Sequence, residues 1–253
     1  MSSPDLTNLK GFLPQKNIYI CLREPPVLTV VIGAVCSDGI AMIADKKLTD
    51  LSGSDPQFRD KIRGDLGHIL MGYTGLECMF DIFRKSVVGD VHLMFPTNPY
   101  TFDNIMSRCS APLELLNRIS SAPIFSLELL IAKHQKKASE LYHFDLNGNY
   151  NSVDYIAIGS GKDTADMFCK SLPFKKMTMK DFVNEAYFAI SYMEQYCPGL
   201  GVGVGHDGVP SIKYLDYKQE WDKEPEIQYI SRFKTHANNR LDQVKQTLKS
   251  FRQ

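Results

Sequence analysis

The stretch that most constrains the fold is TVVIGAVCSDGIAMIAD, residues 29 to 45. Thr29 to Cys36 is a nearly continuous apolar run rich in β-branched residues, and Ile40 to Ala44 is a second. Strands that are apolar on every residue must be covered on both faces, unlike strands that alternate between core and solvent. Ser37-Asp38-Gly39 between the runs marks a tight hairpin. Asp45-Lys46-Lys47 then puts charge at the end of the second strand, where a polar loop over residues 51 to 59 begins.

The rest of the chain supplies the covering layers. Lys61-Ile62 opens another strand, and HILMGYTG over 68 to 75 follows it. Leu76, Met79, Phe80, Phe83 and Val87 then recur at helical spacing on one face. Residues 96 to 121 suggest one or two helices broken near Pro112. Strands are expected over Phe125 to Lys133, Glu140 to Asp145 and Asp154 to Gly159, with an Asn147-Gly148 turn among them. Gly159-Ser160-Gly161 opens a helix, and Thr178 caps the next, with Asp181 in its first turn. GVGVG at 201 to 205, a His206-Asp207-Gly208 turn and SIKYLDY at 211 to 217 read as a last hairpin, followed by an amphipathic helix within 226 to 253. Strand pairs with helix pairs inserted between them predict an α+β, four-layer αββα sandwich, two antiparallel sheets between helix layers, rather than a repeating βαβ fold.

Residues 1 to 28 read as an appendage to a domain over 29 to 253. They are polar, carry Pro14, Pro25 and Pro26, and lack the apolar core of a signal peptide. A formal net charge of zero points away from nucleic acid, and no apolar run is long enough for a bilayer, so a cytoplasmic protein is expected. The six cysteines form no CxxC pair and no His cluster accompanies them, so neither metal nor cofactor is expected. Cys36 and Cys78 read as packing residues. The two glycine-rich pieces are better read as backbone devices than as phosphate or dinucleotide loops: a turn opening a helix at 159 to 161, and a strand with close backbone approach at 201 to 205.

The spacing from Thr29 to Asp45, Lys61 and Gly75 resembles the proteasome β-subunit family of N-terminal-nucleophile hydrolases. DKI at 60 to 62, GYTG at 72 to 75 and ELYHFDLNGNYNSVDYIAIGSGKDTAD from 140 to 166 add to the likeness. The resemblance implies a threonine-type endopeptidase working in a homo- or hetero-oligomeric ring on peptides or unfolded proteins. Thr29 would be the nucleophile once the first 28 residues are removed as a propeptide. Lys61 would lower proton affinity around it, Asp45 would pair with Lys61, the Gly75 N–H would hold the oxyanion, and Ser160 would support the Thr29 amine. Lys47, Leu48 and Tyr73 would line the substrate pocket. The chemistry suits these residue types: a free α-amine with a pKa near ~8 can take the hydroxyl proton, and a neighbouring ammonium favours its neutral form.

The sequence departs from the family pattern at three places. Leu28 stands where active members usually have glycine, Lys47 replaces a frequent arginine, and MEQYCPGLG at 193 to 201 offers Glu194 in place of an aspartate and Cys197 in place of a serine. Read without the resemblance, Asp45 and Lys61 are a structural ion pair and Thr29 a β-former. A silent structural subunit and a different amide chemistry, such as transpeptidation or small-amide hydrolysis, remain alternatives.

Overall fold

A computed structural model describes residues 29–48, 57–65, 69–94, 109–110, 113–114, 127–135, 138–205, 207–216, 222–223 and 227–250. The appendage over 1 to 28, the centre of the loop after Leu51, most of the segment read as helices over 96 to 121, and His206 lie outside the described residues.

The apolar hairpin forms as its composition requires. β1 (Val30–Cys36) and β2 (Gly39–Ala44) are buried at every position and pair from Cys36↔Gly39 to Val31↔Ala44. β3 (Lys47–Leu48) and β4 (Gln57–Phe58) form a two-stranded ribbon beyond them. β5 (Ile62–Asp65) and β6 (Ile69–Thr74) lead into helix α1 (Glu77–Met94). β7 (Glu128–Gln135), β8 (Ala138–Phe144), β9 (Tyr150–Val153) and β10 (Tyr155–Gly159) follow, then α2 (Lys162–Cys169) and α3 (Met179–Tyr196). β11 (Ser211–Asp216), β12 (Asp222–Lys223) and α4 (Ile227–Ser250) close the described chain.

Two five-stranded antiparallel sheets result, ordered β10-β1-β2-β11-β12 and β5-β6-β7-β8-β9. Period-two alternation divides their side chains among three cores. Val30, Ile32 and Ala34 of β1 face Phe182, Ala186 and Ile190 of α3, whereas Val31 faces Leu70 and Leu130 of the other sheet. Ile69, Met71 and Tyr73 of β6 turn the other way, onto Phe80 and Phe83 of α1. Helices thus cover the outer face of each sheet, giving the αββα sandwich. Thr178 caps α3 by accepting the Asp181 N–H, the pairing its sequence predicts.

Three readings are corrected. DLNGNYNSVDYIAIG carries two strands: β9 pairs with β8, whereas β10 crosses to pair with β1 in the other sheet. β9 is polar and largely exposed, so no apolar period marks it. The 201–205 segment is no ladder strand, and β11 pairs with β2 and β12 instead. With three glycines in five residues it has little side chain to pack on a sheet, and it spends its backbone groups on irregular contacts. Cys78, half-buried at the start of α1, takes part in a disulfide, so packing alone does not describe it.

The sheets approach closely at Gly72, where an added Cβ would lie 2.7 Å from Val31 Cγ1. Gly72→Ala is therefore expected to destabilise the fold by about 1–3 kcal/mol through overpacking, read as a lower urea midpoint with an unchanged m-value.

Candidate functional site

Thr29 immediately precedes β1 and is 1% exposed. Its position is set from β10, because Val30 pairs with Gly159. The Thr29 carbonyl accepts the Gly161 N–H at 3.3 Å and the Ser160 hydroxyl at 3.1 Å. The Thr29 N–H donates to Ser160 Oγ at 3.0 Å. Ser160 Oγ also lies 3.2 Å from the Leu200 carbonyl, so its single proton serves one of two carbonyls at a time. Gly159 must be glycine: its φ is +91°, and a Cβ there would meet the Thr29 carbonyl oxygen at 2.3 Å and Thr74 Cγ2 at 2.9 Å. Thr74, the last residue of β6, therefore lies close to the Thr29 carbonyl. Gly75 has a φ of +101° and sits two residues before α1.

Asp45, the residue after β2, joins the other groups. Its Oδ1 accepts the Thr29 hydroxyl and the Val30 N–H, the latter at 2.9 Å. Its Oδ2 accepts from Lys61 Nζ at 2.8 Å, and Lys61 Nζ also donates to the Lys47 carbonyl at 2.8 Å. Both charged side chains are fully buried. Burial holds the Lys61 ammonium below the ordinary lysine value, against the opposing pull of Asp45. Two ions taken wholly out of water cost several kcal/mol each, so such a pair is a poor device for stability alone. It is a good device for fixing one charge against a hydroxyl.

The remaining predicted residues separate into groups. Lys47 is half-buried in β3, and its carbonyl rather than its ammonium meets Lys61. Leu48 shares β3, but its side chain lies outside the described residues. Tyr73 is 1% exposed, stacks on Phe80 at 4.1 Å and leaves its hydroxyl without a hydrogen-bond partner among the described residues. Near it, Glu77 takes Arg59 at 2.6 Å and Arg63 at 3.2 Å. Glu194 is directed to the Val204 N–H at 3.2 Å, and partial burial raises its carboxyl above the usual range. Cys197 ends α3, where its carbonyl accepts the Leu200 N–H at 2.9 Å. Sequence reasoning missed the backbone partners of the site, the carbonyls of Lys47 and Leu200 and the N–H of Val30, since main-chain acceptors leave no residue-type signal. Among the described residues no group of His, Cys, Asp and Glu is placed to hold a metal ion, and no helix is long and apolar enough to cross a membrane.

A family model described as "Proteasome subunit" matches residues 29–204. Curated relatives include "Proteasome subunit alpha" of Pyrococcus abyssi, 24% identical over 162 residues, covering 63% of this chain and 62% of the relative. The protein of that name from Pyrococcus horikoshii is 23% identical over the same shares. The one from Thermococcus sibiricus is 23% identical over 170 residues, 66% of this chain and 65% of the relative. The chain therefore spans less than two thirds of the length of the relatives it matches.

Breaking the buried pair tests its electrostatics. Lys61→Met leaves the Asp45 carboxylate buried without its cation and is expected to cost about 3–5 kcal/mol in urea unfolding. Adding Asp45→Asn to that variant should restore a large part of the loss.

Proposed function

The chain belongs to the proteasome-subunit family, and from that premise we propose that it is a proteasome-like ring subunit with a threonine amide-hydrolase centre. The observation that carries this reading is the buried network joining the Thr29 hydroxyl, the Asp45 carboxylate and the Lys61 ammonium, to which the exposed Ser160 is tied through the Thr29 backbone. The family includes threonine peptidases, and its subunits form oligomeric rings, which favours peptide or unfolded-protein substrates.

The chemistry has one precondition. An amide nitrogen at position 29 is no base, so the 28–29 bond must be cut first. With the amine free, Thr29 Oγ attacks the substrate carbonyl carbon and its proton passes to that amine. Lys61 favours the neutral, accepting form of the amine by like-charge repulsion, and Asp45 keeps the lysine from being an unpaired buried charge. The Gly75 N–H is the candidate donor to the oxyanion, a contact worth about 3–4 kcal/mol in known oxyanion holes. Collapse expels the leaving amine, which takes the proton from the Thr29 ammonium and leaves an ester on Oγ. Water, deprotonated by the same amine, then hydrolyses the ester. Ser160 holds the nitrogen in place throughout.

A second reading is a ring subunit that keeps Thr29 acylated and cleaves nothing. The relatives named alpha subunit favour it, as does Leu28 in the place where glycine usually precedes a released threonine.

Hydrolysis of fluorogenic peptides by the assembled protein separates the two. Under the first reading Thr29→Ala lowers kcat by at least about 10³-fold, as expected when a nucleophile that is also the base carrier is lost. Under the second, the wild-type chain is already inert to peptides and to a threonine-directed inhibitor.

A further inference from the structure

Glu194 makes no hydrogen bond to Thr29 among the described residues, yet it is tied to the site by another route. Its Oε1 accepts the Val204 N–H at 3.2 Å. That N–H belongs to the same planar peptide unit as the Gly203 carbonyl, so gripping one edge of the unit fixes the other. The Gly203 oxygen accepts the Lys46 N–H at 3.0 Å and the Lys47 N–H at 3.3 Å. Lys47 in turn offers its own carbonyl to Lys61 Nζ at 2.8 Å.

The lack of a side chain at Gly203 is what lets these groups close up. A Cβ on Gly203 would stand 3.1 Å from Glu194 Oε1 and 3.1 Å from Lys47 Cδ. Residue 203 is thus threaded between an anionic side chain and a cationic one. An anionic acceptor on the Val204 N–H also polarises the peptide unit, making the Gly203 carbonyl a stronger acceptor for the two lysine amides.

We propose that Glu194 is a positioning residue: through the Gly203–Val204 peptide it holds the Lys47 carbonyl on the Lys61 ammonium and so fixes where that charge sits relative to Thr29. The consequence for turnover rests on the reading of Thr29 as nucleophile, but the mechanical link does not.

Two readouts on the full chain in its native assembly test this. Hydrogen exchange at the Lys46 and Lys47 amides reads the link without any activity. Glu194→Ala should speed their exchange at least about tenfold, a change that Glu194→Gln, which keeps an acceptor oxygen, largely reverses. Gly203→Val should mimic Glu194→Ala with the carboxylate still present. In peptide hydrolysis Glu194→Ala should lower kcat by about 10- to 100-fold, the range for a small misplacement of a catalytic group, with KM little changed and the basic limb of the pH profile shifted. Unchanged exchange in Glu194→Ala overturns the proposal, as does faster exchange with an unshifted pH profile. If the wild-type chain hydrolyses nothing, the function reading fails while the exchange result alone decides this one.

Discussion

A lysine and an aspartate, both sealed from water, hold the centre of this molecule. No solvent screens them, so each of their polar atoms needs a protein partner. Asp45 finds Thr29, Val30 and Lys61, and Lys61 finds Asp45 and the Lys47 carbonyl. That requirement ties three chain segments together: the start of β1, the end of β2 and the residue before β5. The surrounding sandwich makes the pairing possible, because β1 and β2 are buried on both faces and their shared end opens directly onto the charges.

On the proposed reading, the same network would leave Thr29 built as a nucleophile and idle at once. The Thr29 hydroxyl is already directed at a carboxylate, and its backbone is pinned between Ser160 and Gly161. What such a centre needs in order to act is a proton acceptor on the residue itself. A backbone nitrogen in an amide cannot fill that role, whereas a primary amine in the same place can. On the proposed reading the difference between the two states is one covalent bond, the one joining residues 28 and 29.

Much of this was legible in the residues. The double apolar run dictated a sheet buried on both faces, and the helical spacing from Leu76 to Phe83 and the Thr178 cap placed two helices. The family resemblance carried by Thr29, Asp45 and Lys61 pointed to three side chains that do meet. Illegible were features written in the backbone or in polar edges. β9 has no apolar period, and 201–205 resembles a strand by composition but bonds irregularly to Lys46 and Lys47. Glu194 matched a family position by order along the chain, yet order does not say which way a side chain on the last turn of α3 reaches. It reaches toward Val204. Tyr73, a pocket residue by the family resemblance, stacks on Phe80 of α1.

The claim on which the rest turns is that the nitrogen of Thr29 is released in the working protein. N-terminal sequencing, with intact mass, of the protein purified from its own cells reads this directly. The account predicts a mature species whose first residue is Thr29. A working assembly in which residue 29 remains joined to residue 28 would contradict it, leaving the sandwich and its buried ion pair as structure alone.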